Sequence, residues 1–371
     1  MRMKLPKMRD LFSPDLSCLS DTLRNALPFS ANLEQCEPLA GDASNRRYYR
    51  LFLSEAPVGS IILMQLAEAE GFKASEEAVS GAESDIVELP FINILRHLKA
   101  RGAFVPSLYF YDEAGGLLYL EDFGDETLAR ACQGASMEVV EHWYGQAIDQ
   151  LVHLHGRATH PTATCLAFTR SFDVALFLWE FEHFLEYGLT ARHGCPLRHE
   201  DEGPIREVFQ KIAEWLASQP KVFTQRDFHS RNLMVHGQRL GLIDFQDALL
   251  GPVTYDLASL LRDSYIALDE GMIDRLIGRY IQGLRSELPI SQHHDFLLDD
   301  PETFRRLFDF TSVQRNLKAA GRFVYIDKVK HNPNFLPSIP HTLRNVRSNF
   351  EKYPEFHDLQ TRLTPYIPEW Q

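Results

Sequence analysis

Residues 223 to 247 read "FTQRDFHSRNLMVHGQRLGLIDFQD", with Asp227, then Asn232 five residues on, then Asp244 twelve after that. Two apolar runs, Leu233-Met234-Val235 and Leu240-Gly241-Leu242-Ile243, read as hairpin strands joined through His236-Gly237-Gln238. Centring the hairpin on Gln238 sets Asn232 opposite Asp244 at its open end, roughly 5 Å apart between α-carbons. A carboxylate and an amide carbonyl side by side are hard oxygen ligands that suit Mg²⁺, with nucleotide phosphates and water filling the octahedron. Asp227, on the entering loop, reaches the same cavity without ligating the metal. In-line phosphoryl transfer needs a base, or an orienter of the attacking hydroxyl, at that place. The plainer alternative makes each residue a turn former. Three complementary roles on one hairpin favour the chemistry.

The elements that must carry this stretch follow from periodicity. Ser13 and Pro14 open a helix with Leu16, Leu19, Leu23 and Leu27 at helical spacing. Gly41 to Asn45 form a polar turn, Arg46 to Leu53 alternate as a strand, and "SIILMQL" is a buried strand. "FINILRHLKARG" is helical, while "SLYFYD" and "GLLYLED" form a hairpin. From about residue 126 long amphipathic helices dominate, interrupted only by the hairpin at 222–247. The expected fold is α+β and bilobal: a small antiparallel β-rich lobe over 1–121 that binds nucleotide, and a larger helical lobe over 122–371.

Composition narrows the partners. The chain has 371 residues, 44% hydrophobic and 24% charged, as in a globular protein. Its net charge of -13 argues against nucleic acid. That charge is concentrated in 67–90, which reads as a solvated acidic insertion, so it says little about the substrate. Five scattered cysteines without a C-x-x-C pair fit free thiols in a reducing compartment. The basic N-terminus lacks an apolar h-region, and no run is long enough to span a bilayer. The expectation is a cytoplasmic protein without membrane partners, acting as a monomer.

"QRDFHSRNLMV…LGLIDFQDALLGPVTYDLASL" resembles the aminoglycoside phosphotransferase and choline kinase family, relatives of the protein kinases. That family carries H-x-D-x-x-x-x-N, then a hydrophobic residue and Asp, then Gly-Asp-Pro-x-x-Asp-Leu. The resemblance implies ATP and Mg²⁺ as cofactors, Asp227 as catalytic aspartate, and Asn232 and Asp244 as metal ligands. It also implies that Asp256 braces the catalytic loop through backbone hydrogen bonds. A helix N-terminal acid is the simpler account of Asp256, and both can hold. "GDASNRRYYR", "YLEDFGDETL", "YDLASLLRDSY" and "QRNLKAAGRF" look like a bacterial sugar-kinase branch. That branch phosphorylates the anomeric hydroxyl of N-acetylmuramate and N-acetylglucosamine in cell-wall recycling, so an amino sugar is the expected substrate. Kinases for other alcohols (aminoglycoside, choline, homoserine) and a nucleotide-binding pseudokinase are the competing readings.

The chain departs from the family in two places. Gln225 stands where histidine is usual, and Met64-Gln65 stand where a phosphate-gripping lysine is usual. Ser44 and Asn45, with Arg46, Arg47 or Arg50, are the candidate replacements for that grip. Arg46 and Arg50 share one strand face and Arg47 lies on the other. Leu120-Glu121-Asp122 should present backbone groups to adenine. Arg226 has no activation loop to read, since only six residues separate Asp244 from Gly251. His153 and His155 are a packed helix end and not a metal pair. Acceptor candidates are polar groups in apolar helices: Glu180, Glu182, Arg262, Asp263, Gln314, Arg315 and Lys318. For each, an internal ion pair or a solvated face is an equal alternative.

Overall fold

The computed structural model describes residues 16–39, 46–66, 86, 88–162 and 164–371. The expected helix start at Ser13-Pro14, the turn holding Ser44 and Asn45, and residues 67–85 of the acidic segment lie outside the described residues. The chain divides into two compact units.

The first unit comprises the described residues up to 66 together with 106–122. Helix α1 (Leu16–Asn25) precedes strands β1 (Asn32–Pro38), β2 (Arg47–Ser54) and β3 (Ser60–Gln65). Strands β4 (Leu108–Asp112) and β5 (Leu117–Glu121) complete an antiparallel sheet ordered β1-β2-β3-β5-β4. The period-2 alternation of β2 buries Tyr49, Leu51 and Leu53 in one cluster with Leu19 and Leu23 of α1. The expected hairpin is present: Asp112 Oδ1 accepts from Gly115 N at 3.0 Å, and Gly116 takes φ 62°. Strand β1 escapes a periodicity reading because "NLEQCEP" is largely polar. It is an edge strand with a register irregularity between Leu33 and Gln35.

The second unit holds the described residues of 86–105 and all of 123–371. Helix α2 (Pro90–Ala100) therefore belongs with the helices, whereas the sequence boundary at 121 had grouped it with the sheet. Its buried Asn93 donates through Nδ2 to Thr164 O at 2.7 Å and accepts Leu166 N at 2.8 Å. An apolar stripe reveals that a helix buries one face, but not against which neighbour. Helices α3 (Leu128–Cys132), α4 (Met137–His153), α5 (Val174–His183) and α6 (His199–Ala217) come next. They are followed by β6 (Lys221–Thr224), β7 (Leu233–His236), β8 (Arg239–Leu242) and β9 (Leu249–Pro252). Then come α7 (Tyr255–Leu261), α8 (Glu270–Glu287), α9 (Pro301–Lys330) and α10 (Ile339–Phe350). The 30-residue α9 is buried around much of its circumference, which marks it as the central helix of this unit.

The hairpin is real, but its register differs by one from the sequence expectation. Leu233 faces Leu242 and His236 faces Arg239, so only Gly237 and Gln238 form the turn. Gly237 takes φ 63°, as the first position of a tight two-residue turn requires. Asn232 consequently faces Ile243, whose N–H donates to Asn232 O at 3.1 Å, and not Asp244. Asp244 lies one residue beyond, in the left-handed region at φ 57°.

Candidate active site

The loop between β6 and β7 carries Asp227 and Asn232, and two buried carboxylates hold it from below. Asp256, at the start of α7 and fully buried, accepts Gln225 N at 2.6 Å and Arg226 N at 2.9 Å. These two bonds occupy both carboxylate oxygens and fix the backbone just ahead of Asp227. Arg226 adopts φ 84°, an uncommon conformation that such bonds help to hold. Asp263 accepts Ser230 N at 2.9 Å and Tyr265 N at 3.0 Å. Behind Asp256, His155 Nε2 lies 3.7 Å from its Oδ2, and His155 Nδ1 lies 2.6 Å from the Tyr280 hydroxyl. His153 instead contacts Arg101 O at 2.7 Å, so the two histidines point apart as their spacing implies.

Asn232 and Asp244 arrive at the open end of the β7–β8 hairpin from either strand. The Asn232 amide donates through Nδ2 to Asp227 O at 2.9 Å, and its Oδ1 accepts no hydrogen bond among the described residues. Gln246 Nε2 donates to Asp244 Oδ1 at 2.8 Å. Gln225, fully buried, donates to Ile243 O at 3.2 Å and Asp244 O at 2.9 Å. The residue in the usual histidine position thus ties the catalytic loop to Asp244. An amide oxygen without a donor and a carboxylate are both oxygen ligands that suit a hard cation. No group of three His, Cys, Asp or Glu residues able to hold a metal by itself occurs among the described residues.

Asp227 is about one third exposed, with 38% of its side chain accessible. Lys318 Nζ and Arg315 Nη2 of α9 lie 3.9 and 3.8 Å from its Oδ1. Desolvation works against its charge, yet Lys318, then His229, Arg315 and Arg226, hold the carboxyl well below its usual range. Asp227 is therefore ionised at neutral pH. Glu180 of α5 is wholly buried and meets Arg226 Nη2 at 3.0 Å, Gln314 Nε2 at 2.8 Å and Lys318 Nζ at 3.7 Å. Arg226 is thus engaged by an internal carboxylate. The segment after Asp244 pairs as β9 with β6 instead of forming a loop.

The acceptor candidates separate. Gln314, Arg315, Lys318 and Glu180 converge near Asp227. Glu182 does not: it faces outward and pairs with Arg206 Nε at 2.7 Å. Arg262 is buried in an ion-pair cluster with Glu270 at 2.7 Å and Asp309 at 3.8 Å. Asp263 serves the loop backbone, as described. Spacing alone gave no sign of His155 or Gln246, although the polar "FQD" around Gln246 was a usable signal.

On the first unit, the Arg50 guanidinium forms a two-pronged pair with Asp122, at 2.7 and 3.2 Å. Ser60 Oγ also donates to Asp122, at 2.7 Å. Arg47 is exposed at the start of β2 and Arg46 half-buried before it. Leu120 is buried in β5, with Ile62 on one side and Leu108 on the other. Met64, in the place of the usual lysine, is fully buried.

The chain is similar to proteins of known name and structure. The chain is 29% identical over 330 residues to a Neisseria meningitidis serogroup B protein named N-acetylmuramate/N-acetylglucosamine kinase, covering 88% of this chain and 89% of that one. A choline kinase structure from Cryptosporidium parvum Iowa II shares the fold, with a TM-score of 0.58 at 11% identity, covering 94% of this chain and 99% of that one. An ADP-bound aminoglycoside phosphotransferase structure does too, with a TM-score of 0.52 at 14% identity, covering 86% and 95%. The model of the phosphotransferase enzyme family matches residues 35–290, a span that includes Asp227, Asn232, Asp244 and Asp256, and the chain belongs to that family.

Proposed function

We propose that this phosphotransferase moves the terminal phosphoryl group of ATP to the anomeric hydroxyl of an N-acetylated amino sugar, N-acetylmuramate or N-acetylglucosamine, as a cytoplasmic monomer. The observation that carries the reading is an ionised Asp227 on a loop that Asp256 braces, that Asn232 Nδ2 bonds at Asp227 O, and that Gln225 ties to Asp244. The kinase named for these two sugars, similar over most of both chains, supports the acceptor.

Asp227 accepts a hydrogen bond from the sugar hydroxyl and aims its oxygen at the phosphorus. Asn232 and Asp244 would hold Mg²⁺, which when bound neutralises phosphate charge. Asp256 and Asp263 keep the loop rigid, so positioning supplies much of the rate. On the sheet unit, Arg46 and Arg47 remain the candidates for nucleotide phosphate, and the backbone of Leu120 and Asp122 for the base.

The test is ADP release across a sugar panel, followed by phosphorus NMR of the product. N-acetylmuramate and N-acetylglucosamine should yield 1-phosphates. Asp227→Asn should lower kcat by roughly 10²-fold or more while ATP binding persists. Near-normal turnover in that variant, or phosphate on another hydroxyl, contradicts the reading. Buried Met64 in place of the usual lysine, with Gln225 in place of the usual histidine, favours a non-catalytic nucleotide binder. Retained ATP binding without turnover of any sugar would select that alternative.

A further inference from the structure

Two cations stand beside Asp227 without a hydrogen bond to any described residue. Arg315 and Lys318 are three residues apart on α9 and so share a face. Their closest carboxylate contacts to Asp227 are 3.8 and 3.9 Å, too long for hydrogen bonds. The Arg315 side chain is 5% exposed, and its Nε is sealed from solvent without a partner. Gln314 Oε1, one residue before, is buried without a partner as well. A buried guanidinium with unmet donors is costly in a resting protein. The cost is accounted for when an anion arrives with the substrate and completes the bonds.

The position of the cations selects the anion. A hydroxyl hydrogen-bonded to Asp227 lies about 2.7 Å from its oxygen. The phosphorus it attacks lies roughly 3 Å further on. Groups within 4 Å of the same carboxylate oxygen can therefore reach the oxygens of the moving phosphoryl group.

We propose that Arg315 and Lys318 are catalytic residues that bind the transferring phosphoryl group, supplying positive charge to it from α9. This rests on the phosphotransfer reading above. In the step, a bond forms between the sugar oxygen and the terminal phosphorus while the bond to the bridging oxygen of ADP breaks. The bridging electrons leave with ADP, and the hydroxyl proton departs by way of Asp227. Negative charge on the three equatorial oxygens draws the ammonium and the guanidinium into charge-assisted hydrogen bonds. Glu180 acts as a positioning residue: it keeps Lys318 between two carboxylates and holds Gln314 beside it.

Steady-state kinetics of wild type, Lys318→Met and Arg315→Met on both sugars tests this. N-acetylmuramate carries a carboxylate and N-acetylglucosamine does not. The expected result is a fall in kcat of about 10²-fold for both sugars alike. Sugar KM should stay within about threefold, and Arg315→Lys should recover part of the loss. A rise in KM confined to N-acetylmuramate overturns the proposal, because the cations would then be reading the sugar carboxylate. Unchanged kinetics in folded variants overturns it too. Wild-type protein inactive on both sugars overturns the phosphotransfer reading itself, and this inference with it. Should Arg315→Met fail to fold, Lys318→Met decides alone, since its ammonium makes no hydrogen bond and is 14% exposed.

Discussion

Gln225 joins the loop that carries Asp227 to the residues just after β8 with a single side chain. Its two donated bonds end on the carbonyls of Ile243 and Asp244. Gln225→Leu removes the donor from both part-buried carbonyls, which should cost about 1 kcal/mol in urea unfolding. It should also raise the Mg²⁺ concentration needed for half-maximal turnover, because Asp244 loses its tether. Unchanged stability and Mg²⁺ dependence would remove Gln225 from the site. Residue type and spacing in the sequence make Asp227, Asn232 and Asp244 candidates, and the structure sets all three around the β7–β8 hairpin. Glu180 and Glu182 were not separable: α5 is apolar on most sides, so no stripe says which of two nearby acids turns inward. The structure buries Glu180 under the loop and leaves Glu182 to Arg206.

At the scale of the element, the β7–β8 hairpin shows how one residue of turn decides a register. The apolar runs identified both strands. They could not tell a three-residue connection from the two-residue turn that Gly237 permits at φ 63°. The one-residue shift places Asn232 against Ile243, and Asp244 follows in the left-handed region at φ 57°. Gly237→Val should destabilise the protein by about 1–3 kcal/mol, because a β-branched residue resists that backbone. Turnover at saturating Mg²⁺ should fall less than turnover at limiting Mg²⁺. A thermal melt with paired kinetics checks both, and an unchanged melting temperature would show that the turn tolerates a side chain. The sheet of the first unit was likewise legible except for β1, whose polar sequence reflects its edge position.

Across the helical unit, stability depends on charge clusters joining residues far apart in the chain. Glu270 at the start of α8 meets Arg262 at 2.7 Å, Arg305 at 2.6 Å and Lys352 at 3.1 Å. Desolvation opposes its charge, but Arg262 and Lys352 outweigh that and bring its pKa down to about 2 from an ordinary 4.5. A depressed acid contributes stability that is complete above its unfolded value and fades as pH falls toward the folded one. Glu270→Gln should therefore lower the melting temperature at pH 7, with a gap to wild type that narrows as pH drops from 4.5 toward 2. A gap independent of pH would mean that Glu270 acts through packing alone. Such partners were not legible, since the sequence marks polar residues on helices without saying which helices meet. The same separation governs the order in which the chain is made. A ribosome releases Glu180 and the loop around Asp227 well before α9. Until residues 314 and 318 emerge, Glu180 has only Arg226 of its three partners. The nascent chain carries the Asp227 loop early and acquires Arg315 and Lys318 beside it late, so a product that stops short of α9 retains the motif and lacks both cations.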